Sequence, residues 1–471
     1  MIATSDRGSL PTVAVVGGGF SGAAVVGHFA ERASSPLRVV LYEPASRLAR
    51  GAAYSAWNED LLLNVPAGRL SMWPDRPGQF AQWCEQEGRS VEPGAFLSRA
   101  WFGEYAQWAM SDALQRAEGR VEFVRVPARV TAVRRDGSGA TVIVDEAGGV
   151  QRADHVVLAM GNGPTKVPPK VRHIAGDPRL VTNPFDRDAI GRVARTANRV
   201  LFIGVGLTMV DAALSLSQLG FKGQMLGLSR RGILPQVHGP SNPGAHADWA
   251  AGLQGGDLLR LAREITRRAR EHEWRGVIDS LRPHTARLWR TLDVESRKRF
   301  IDRLSVYWDA HRHRRPGQTA AAIDRLREQG ALRITAAEIV EVIAGPATID
   351  LTFRERRTRA TLHERVDAIV LCTGPNADVA AWGSPLIASL AEQGALSRDP
   401  NGLGVVCDPE GRLIGADGAP LDWLTAIGPL RKGEAWESTA VPEIGPQAAS
   451  IAASVLARLG AAAPASATAN L

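Results

Sequence analysis

Residues 12–22 read Thr-Val-Ala-Val-Val-Gly-Gly-Gly-Phe-Ser-Gly. A short apolar run ends on a glycine cluster, which predicts a buried strand turning sharply into a helix over Ser21 to Ala33. Gly17, Gly19 and Gly22 form a G-x-G-x-x-G. Gly17 permits the tight turn, Gly19 lets the backbone approach a pyrophosphate, and Gly22 lets helix and strand pack closely. Phe20 and Ser21 stand where the helix begins, with free N–H groups and a positive dipole end. The next apolar run, Arg38 to Tyr42, predicts the second strand, and Glu43 ends it where an acid binds ribose hydroxyls. A bare G-x-G-x-x-G is a weak signal, and its bland reading is a glycine turn beside a surface Glu. Strand, turn, helix and acid in register make it a dinucleotide site.

The pattern returns at Val200-Leu-Phe-Ile-Gly204-Val-Gly206-Leu-Thr208-Met-Val-Asp211. Gly204 and Gly206 take the first two glycine positions, Thr208 stands at the helix start, and Met209 occupies the third position, which predicts looser helix–strand packing. After the following strand, Gln224 to Leu228, comes Ser229-Arg230-Arg231-Gly232. Two arginines stand where an acid would read an unphosphorylated ribose, and their fork of donors suits a 2′-phosphate. The alternative is a solvated loop.

Composition excludes other classes. An apolar fraction of 45% with 22% charged residues is ordinary for a globular chain. The formal charge of +7 is carried by arginines scattered along the sequence, with Lys only at 166, 170, 222, 298 and 432. No compact basic tract interleaved with aromatics follows, so an acidic small molecule fits better than nucleic acid. Cys84, Cys372 and Cys407 give no C-x-x-C pair, disulfide framework or zinc spacing. That argues against flavoenzymes that pass electrons to a redox-active disulfide. Neither a signal peptide nor a membrane span is read, so the expected location is cytoplasmic.

Alternating strands and helices predict an α/β fold with two dinucleotide-binding, Rossmann-like, three-layer domains. Residues 121–158 carry the alternation of a small antiparallel insertion, and Pro164 to Pro169 marks a crossing between domains. The expected division is 1–163 with 361–471 for the first domain and 164–360 for the second. Residues 240–330, rich in Arg and Trp, read as a helical insertion that closes over a substrate.

Two further strings sharpen the reading. Asp154-His-Val-Val-Leu-Ala-Met-Gly161 and Asp367-Ala-Ile-Val-Leu-Cys-Thr-Gly374 are near copies of D-x-x-x-L-A-T-G. With both glycine turns in order, the chain resembles bacterial FAD/NAD(P)-binding oxidoreductases related to the single-component flavoprotein monooxygenases, over essentially its full length. The resemblance implies FAD on the first domain and NADPH on the second. It implies that Gly161 and Gly374 end strands where the chain passes between the two. It also implies that Asn64, in Leu63-Asn-Val-Pro-Ala67, and Met72, in Ser71-Met-Trp-Pro74, lie against the flavin ring. The segment containing Gly428 would then return to cover it.

Departures narrow the subclass. The F-x-G-x-x-x-H stretch of Baeyer–Villiger and dimethylaniline-type enzymes is missing around His173 to Leu180. Leu-Cys-Thr-Gly374 sits closer to the amine N-hydroxylases, although Pro375 replaces their Tyr. The expected reaction is flavin reduction by NADPH, then oxygenation of a small, anionic or zwitterionic substrate through a C4a-(hydro)peroxyflavin. A flavin reductase without oxygen insertion is the alternative, and a non-enzymatic flavin sensor a third. Asn64, His311 and Arg312 are the catalytic candidates, the last two within a basic run beside Trp308. Their bland reading is a solvated helix with its tryptophans in the core. No metal is expected, and the oligomeric state stays open.

Overall fold

Val13, Ala14 and Val15 expose no surface, so Thr12–Val16 is a strand covered on both faces, as a continuous apolar run requires in a parallel sheet. The computed structural model describes residues 10–92 and 94–462. These fall into two units: residues up to 55, 65–163 and from 377 onward, and residues 56–64 with 164–376.

The first unit holds a six-stranded sheet in the order Arg412–Ile414, Pro420–Ala426, His155–Leu158, Thr12–Val16, Leu37–Tyr42, Val121–Val126. All pairings are parallel except the outermost, Arg412–Ile414 with Pro420–Ala426. Helix Phe20–Arg32 packs against Arg99–Arg116 and Val441–Ala462. The expected antiparallel insertion is present but smaller than 121–158. It consists of Val130–Arg135, Thr141–Asp145 and Val150–Ala153, whereas Val121–Val126 and His155–Leu158 join the main sheet.

The second unit repeats the plan. Its seven strands run Thr361–Val366, Ile349–Glu355, Leu332–Ala344, Gln224–Ser229, Arg199–Ile203, Ala368–Leu371, Leu180–Val181. The last five are mutually parallel, and the first two form an antiparallel hairpin on Leu332–Ala344. This corrects the expected boundary at 360/361. Ala368–Leu371 lies parallel to Arg199–Ile203, with Val370 opposite Phe202, so the chain leaves this unit only after 376. Residues 56–64 also belong here. Trp57 packs against the unit's core, Asn58 is buried with its Nδ2 donating to Ser215 Oγ at 3.4 Å, and Gln218 Nε2 donates to Asp60 at 2.9 Å.

The helical insertion is shorter than 240–330. Helix Gly317–Glu328 buries Ile323 in the core of the sheet and leads into Leu332–Ala344, so it is the crossover of the dinucleotide fold itself. The insertion proper runs from Pro243–His246 to Ser305–Arg312. It has a small core of its own, with Leu253, Leu261, Ile278, Leu281 and Leu288 packed by Trp249, Trp274 and Trp308. No helix among the described residues is long and apolar enough to cross a membrane, and none of their His, Cys, Asp and Glu side chains cluster as metal ligands.

Candidate functional site: two glycine turns

At the first turn, Gly17 has φ +105°, and its N–H donates to Tyr42 O at 2.9 Å. A Cβ on Gly17 would sit 2.4 Å from Ala159 O, and one on Gly22 would sit 1.9 Å from Gly17 O. These two glycines are required by backbone against backbone. Gly19 differs, because the only atoms near its Cβ position belong to Gly51, the closest at 3.4 Å. Gly19 also starts helix Phe20–Arg32, which has no side-chain cap and no acid in its first turn. The uncapped N–H groups at this helix start are the kind of donors an anion takes, and only the Gly51 backbone borders the Gly19 position. Glu43 closes the turn by accepting from Gly18 N at 2.8 Å and Ala45 N at 2.9 Å.

The second turn reproduces this geometry. Gly204 has φ +101°, donates to Leu228 O at 2.8 Å, and would place a Cβ 2.2 Å from Cys372 O. Gly206 begins helix Leu207–Gln218, again uncapped and without a first-turn acid, and nothing lies within 4 Å of its Cβ position. Thr208 is half-buried in the first helical turn. Met209, expected to loosen the packing, is instead fully buried in the core beside Val200 and Phe202. The paired D-x-x-x-L-A-T-G strings explain the match. Asp154 accepts from Thr12 N at 2.7 Å, and Asp367 accepts from Asn198 N at 2.7 Å and Arg199 N at 2.9 Å. Each acid pins the start of its strand beside the start of the glycine-turn strand. Gly161 (φ +69°) and Gly374 (φ +75°) follow the strand ends in backbone conformations that suit glycine.

Arg230 and Arg231 follow strand Gln224–Ser229, whose Leu228 lies opposite Ile203 in register, so both stand at the sheet edge that carries Gly204 and Gly206. Both are exposed, and among the described residues neither pairs with a carboxylate. The C-terminal segment also reaches a turn. Gly428 (φ +73°) donates to Gln447 Oε1 at 3.0 Å, and a Cβ there would lie 2.8 Å from Ser21 Oγ. Its place beside the first helix puts it at the first turn, within the same unit.

Other expected residues are placed differently. Met72 is fully buried, its Sδ lying 3.3 Å from the Cβ position of Gly27, so its side chain packs into the core against helix Phe20–Arg32. The Phe20 ring turns into an aromatic cluster, 5.9 Å from Tyr54 and 5.3 Å from Phe102 between centroids, which leaves only its backbone to the turn. Asn64 lies in the second unit, where its carbonyl accepts from His238 Nε2 at 3.0 Å. Burial lowers the His238 pKa to about 4, so that donor is a neutral imidazole. His311 Nδ1 lies 2.7 Å from Tyr307 O, one helical turn back, and its ring stands edge-on to Trp274 at 4.9 Å. These contacts give His311 a packing role within the insertion. Arg312 is half-buried, whereas its neighbours Arg314 and Arg315 are buried. Arg314 pairs with Asp279, and Arg315 donates to Pro235 O at 2.8 Å. The basic run is thus largely internal. All three cysteines are unpaired. The large open groove in the second unit, about 830 Å³, is lined by Arg199, Gln224, Arg333 and His363 at the opposite strand ends, away from the turn.

Two mainly parallel sheets, each with a glycine turn and a matching Asp-anchored strand, define the class: a fold with two units of the dinucleotide-binding type. Residues 14–163 match the FAD-NAD(P)-binding family model. No curated protein matches the sequence. Among solved structures the chain is similar to the ornithine N-hydroxylase of Kutzneria sp. 744, with a TM-score of 0.67, 15% identity, and coverage of 96% of this chain and 100% of that one. The ornithine hydroxylase of Pseudomonas aeruginosa gives a TM-score of 0.63 at 16% identity, covering 96% and 100%. The L-lysine 6-monooxygenase of Pseudomonas syringae gives 0.60 at 18%, covering 96% and 99%.

Proposed function

We propose that the chain is an NADPH-consuming FAD monooxygenase that oxygenates a small amine or amino acid. The observation that carries this reading is the pair of turns whose second glycines lie at uncapped helix starts, Gly206 with nothing within 4 Å of its Cβ position and Gly19 with only the Gly51 backbone beside it. The residues present fit two dinucleotides. Gly19 and the first turn of Phe20–Arg32 would hold the FAD pyrophosphate, with Glu43 at the ribose and Gly428 alongside. Gly206 and Thr208 would hold the nicotinamide nucleotide, with Arg230 and Arg231 on its 2′-phosphate. Bound flavin supplies hydride acceptance from the nicotinamide and electron delivery to dioxygen. The protein's own work is to bind, align and exclude water, which asks for no strong acid or base.

The likeness to amine hydroxylases supports an amine substrate, and the insertion supports one that also carries a carboxylate. Residues 243–316 hold sixteen Arg and Lys against ten Asp and Glu, nearly the whole formal excess of the chain. Arg312 is the candidate there, since Arg314 and Arg315 are committed to packing. The test is NADPH oxidation under ¹⁸O₂ with L-ornithine and with L-lysine. One of them should accelerate NADPH consumption and give an N-hydroxylated product with one labelled oxygen. Hydrogen peroxide equal to NADPH consumed, with both amines recovered unchanged, would leave only a flavin reductase.

A further inference from the structure

We infer that Tyr307, on the helical insertion, is a positioning residue for nucleotide selection: its ring holds the Arg231 guanidinium in place to read the ribose 2′-phosphate. The inference rests on the NADPH reading above and adds a residue outside the dinucleotide fold.

The loop that displays Arg231 has a set backbone. Gly232 has φ +63°, a conformation that favours glycine, and a Cβ there would press to 3.0 Å from Ala336 N. Its N–H donates to Ser229 Oγ at 2.9 Å, closing a turn with Arg230 and Arg231 at the tip. A fixed backbone does not fix an arginine, because a long exposed side chain samples many rotamers that a bound phosphate must freeze. For Arg231 that freedom is reduced in advance. Its Cζ lies 5.0 Å from the centroid of the Tyr307 ring. A carboxylate in that position would neutralise the charge and occupy the donors. An aromatic face attracts the cation and leaves the N–H fork for phosphate oxygens.

Tyr307 is itself anchored. It lies in helix Ser305–Arg312, just after the π-helical turn Phe300–Leu304. Its carbonyl lies 2.7 Å from His311 Nδ1, and the His311 ring stands against Trp274, which packs on the insertion's core. Tyr307 remains 41% exposed, so it is a platform rather than core. Discrimination between phosphorylated and unphosphorylated nucleotide then depends on the insertion as well as on the turn.

Calorimetric titration of the purified flavoprotein with 2′,5′-ADP and with 5′-AMP tests this. Tyr307→Ala should weaken 2′,5′-ADP about two- to fivefold, the range of an exposed cation–π contact, and leave 5′-AMP unchanged. Tyr307→Phe, which keeps the ring, should bind both as the parent does. Equal weakening of both ligands in Tyr307→Ala would overturn the inference, since the ring would then serve the adenosine or the fold. So would an unchanged 2′,5′-ADP affinity in Tyr307→Ala while Arg231→Ala loses it; the NADPH reading survives that result. An Arg231→Ala variant that still prefers 2′,5′-ADP as strongly as the parent takes both down.

Discussion

At Gly19 and Gly22, three residues apart, a similar substitution should do different things. Gly22→Ala places a methyl 1.9 Å from Gly17 O, with backbone on both sides and nothing flexible to yield. Such a variant should fail to accumulate as folded protein. Gly19→Val meets only Gly51, at 3.4 Å, so the fold should survive while the side chain occupies the space meant for a pyrophosphate. The expected product is soluble and colourless, read from the flavin absorbance of purified protein and its melting curve. A yellow Gly19→Val protein with full flavin content would remove this turn from the cofactor site. The turn was legible in sequence because glycine spacing records backbone contacts directly. The neighbouring side chains were not. Nothing local says that the Phe20 ring turns toward Tyr54 and Phe102, or that Met72 seats against Gly27, since both directions are set by residues distant in sequence.

Among the elements, the helical insertion departs furthest from expectation, and one ion pair explains why. The run His311-Arg312-His313-Arg314-Arg315 reads as exposed cations, yet Arg314 and Arg315 are 2% and 6% exposed. The signal was present in Pro316. A residue before proline is pushed out of the helical region, so the helix ends at Arg312 and the chain continues extended. Arg315 then bridges to Val237, and Arg314 meets Asp279, which also accepts from Ser241 Oγ at 2.6 Å. Removing Arg314 leaves the largely buried Asp279 carboxylate without its counter-charge, with Ser241 still donating to it. Arg314→Ala should therefore cost about 3 kcal/mol or more, read as a lower denaturation midpoint. The exposed Arg303→Ala should stay within about 0.5 kcal/mol of the parent. Equal midpoints for the two variants would mean that the pair contributes nothing to the insertion.

Across the whole molecule, histidines held neutral by the fold set a limit on acid tolerance; His28 and His155 are the most buried of those shifted furthest, and His238 adds to their effect. Burial lowers the pKa of His28 to about 4 and of His155 to about 3, with nearby arginines adding to the effect. In the unfolded chain both titrate near 6.5, so below that pH the unfolded state holds more protons and stability falls as pH falls. Each contributes about 1.4 kcal/mol per pH unit down to its folded pKa, roughly 3 kcal/mol per unit together. The melting temperature should be level above pH 7 and drop steeply between pH 6 and 5, and His28→Phe should flatten that drop. A melting temperature unchanged from pH 7 to 5 would show that neither imidazole is held neutral. At this scale the two-fold repetition was legible, since both glycine turns and both Asp-led strands are short strings. The unit boundaries were not. Residues 56–64 carry no dinucleotide signature, and their membership in the second unit is decided by Trp57 and Asn58 packing on helix and core.

The six-stranded sheet has a consequence for how the protein is made. His155–Leu158 pairs on one side with Thr12–Val16 and on the other with Pro420–Ala426. On a ribosome the first four strands of that sheet emerge early and then wait, with the flank of His155–Leu158 unpaired, while the rest of the second unit is synthesised. The second unit closes first, because its own last strand, Ala368–Leu371, appears before residue 377 and its outlying segment 56–64 is already outside. A released fragment ending at residue 376 should thus already protect residues 164–376 from protease while residues 10–55 and 65–163 are still cut.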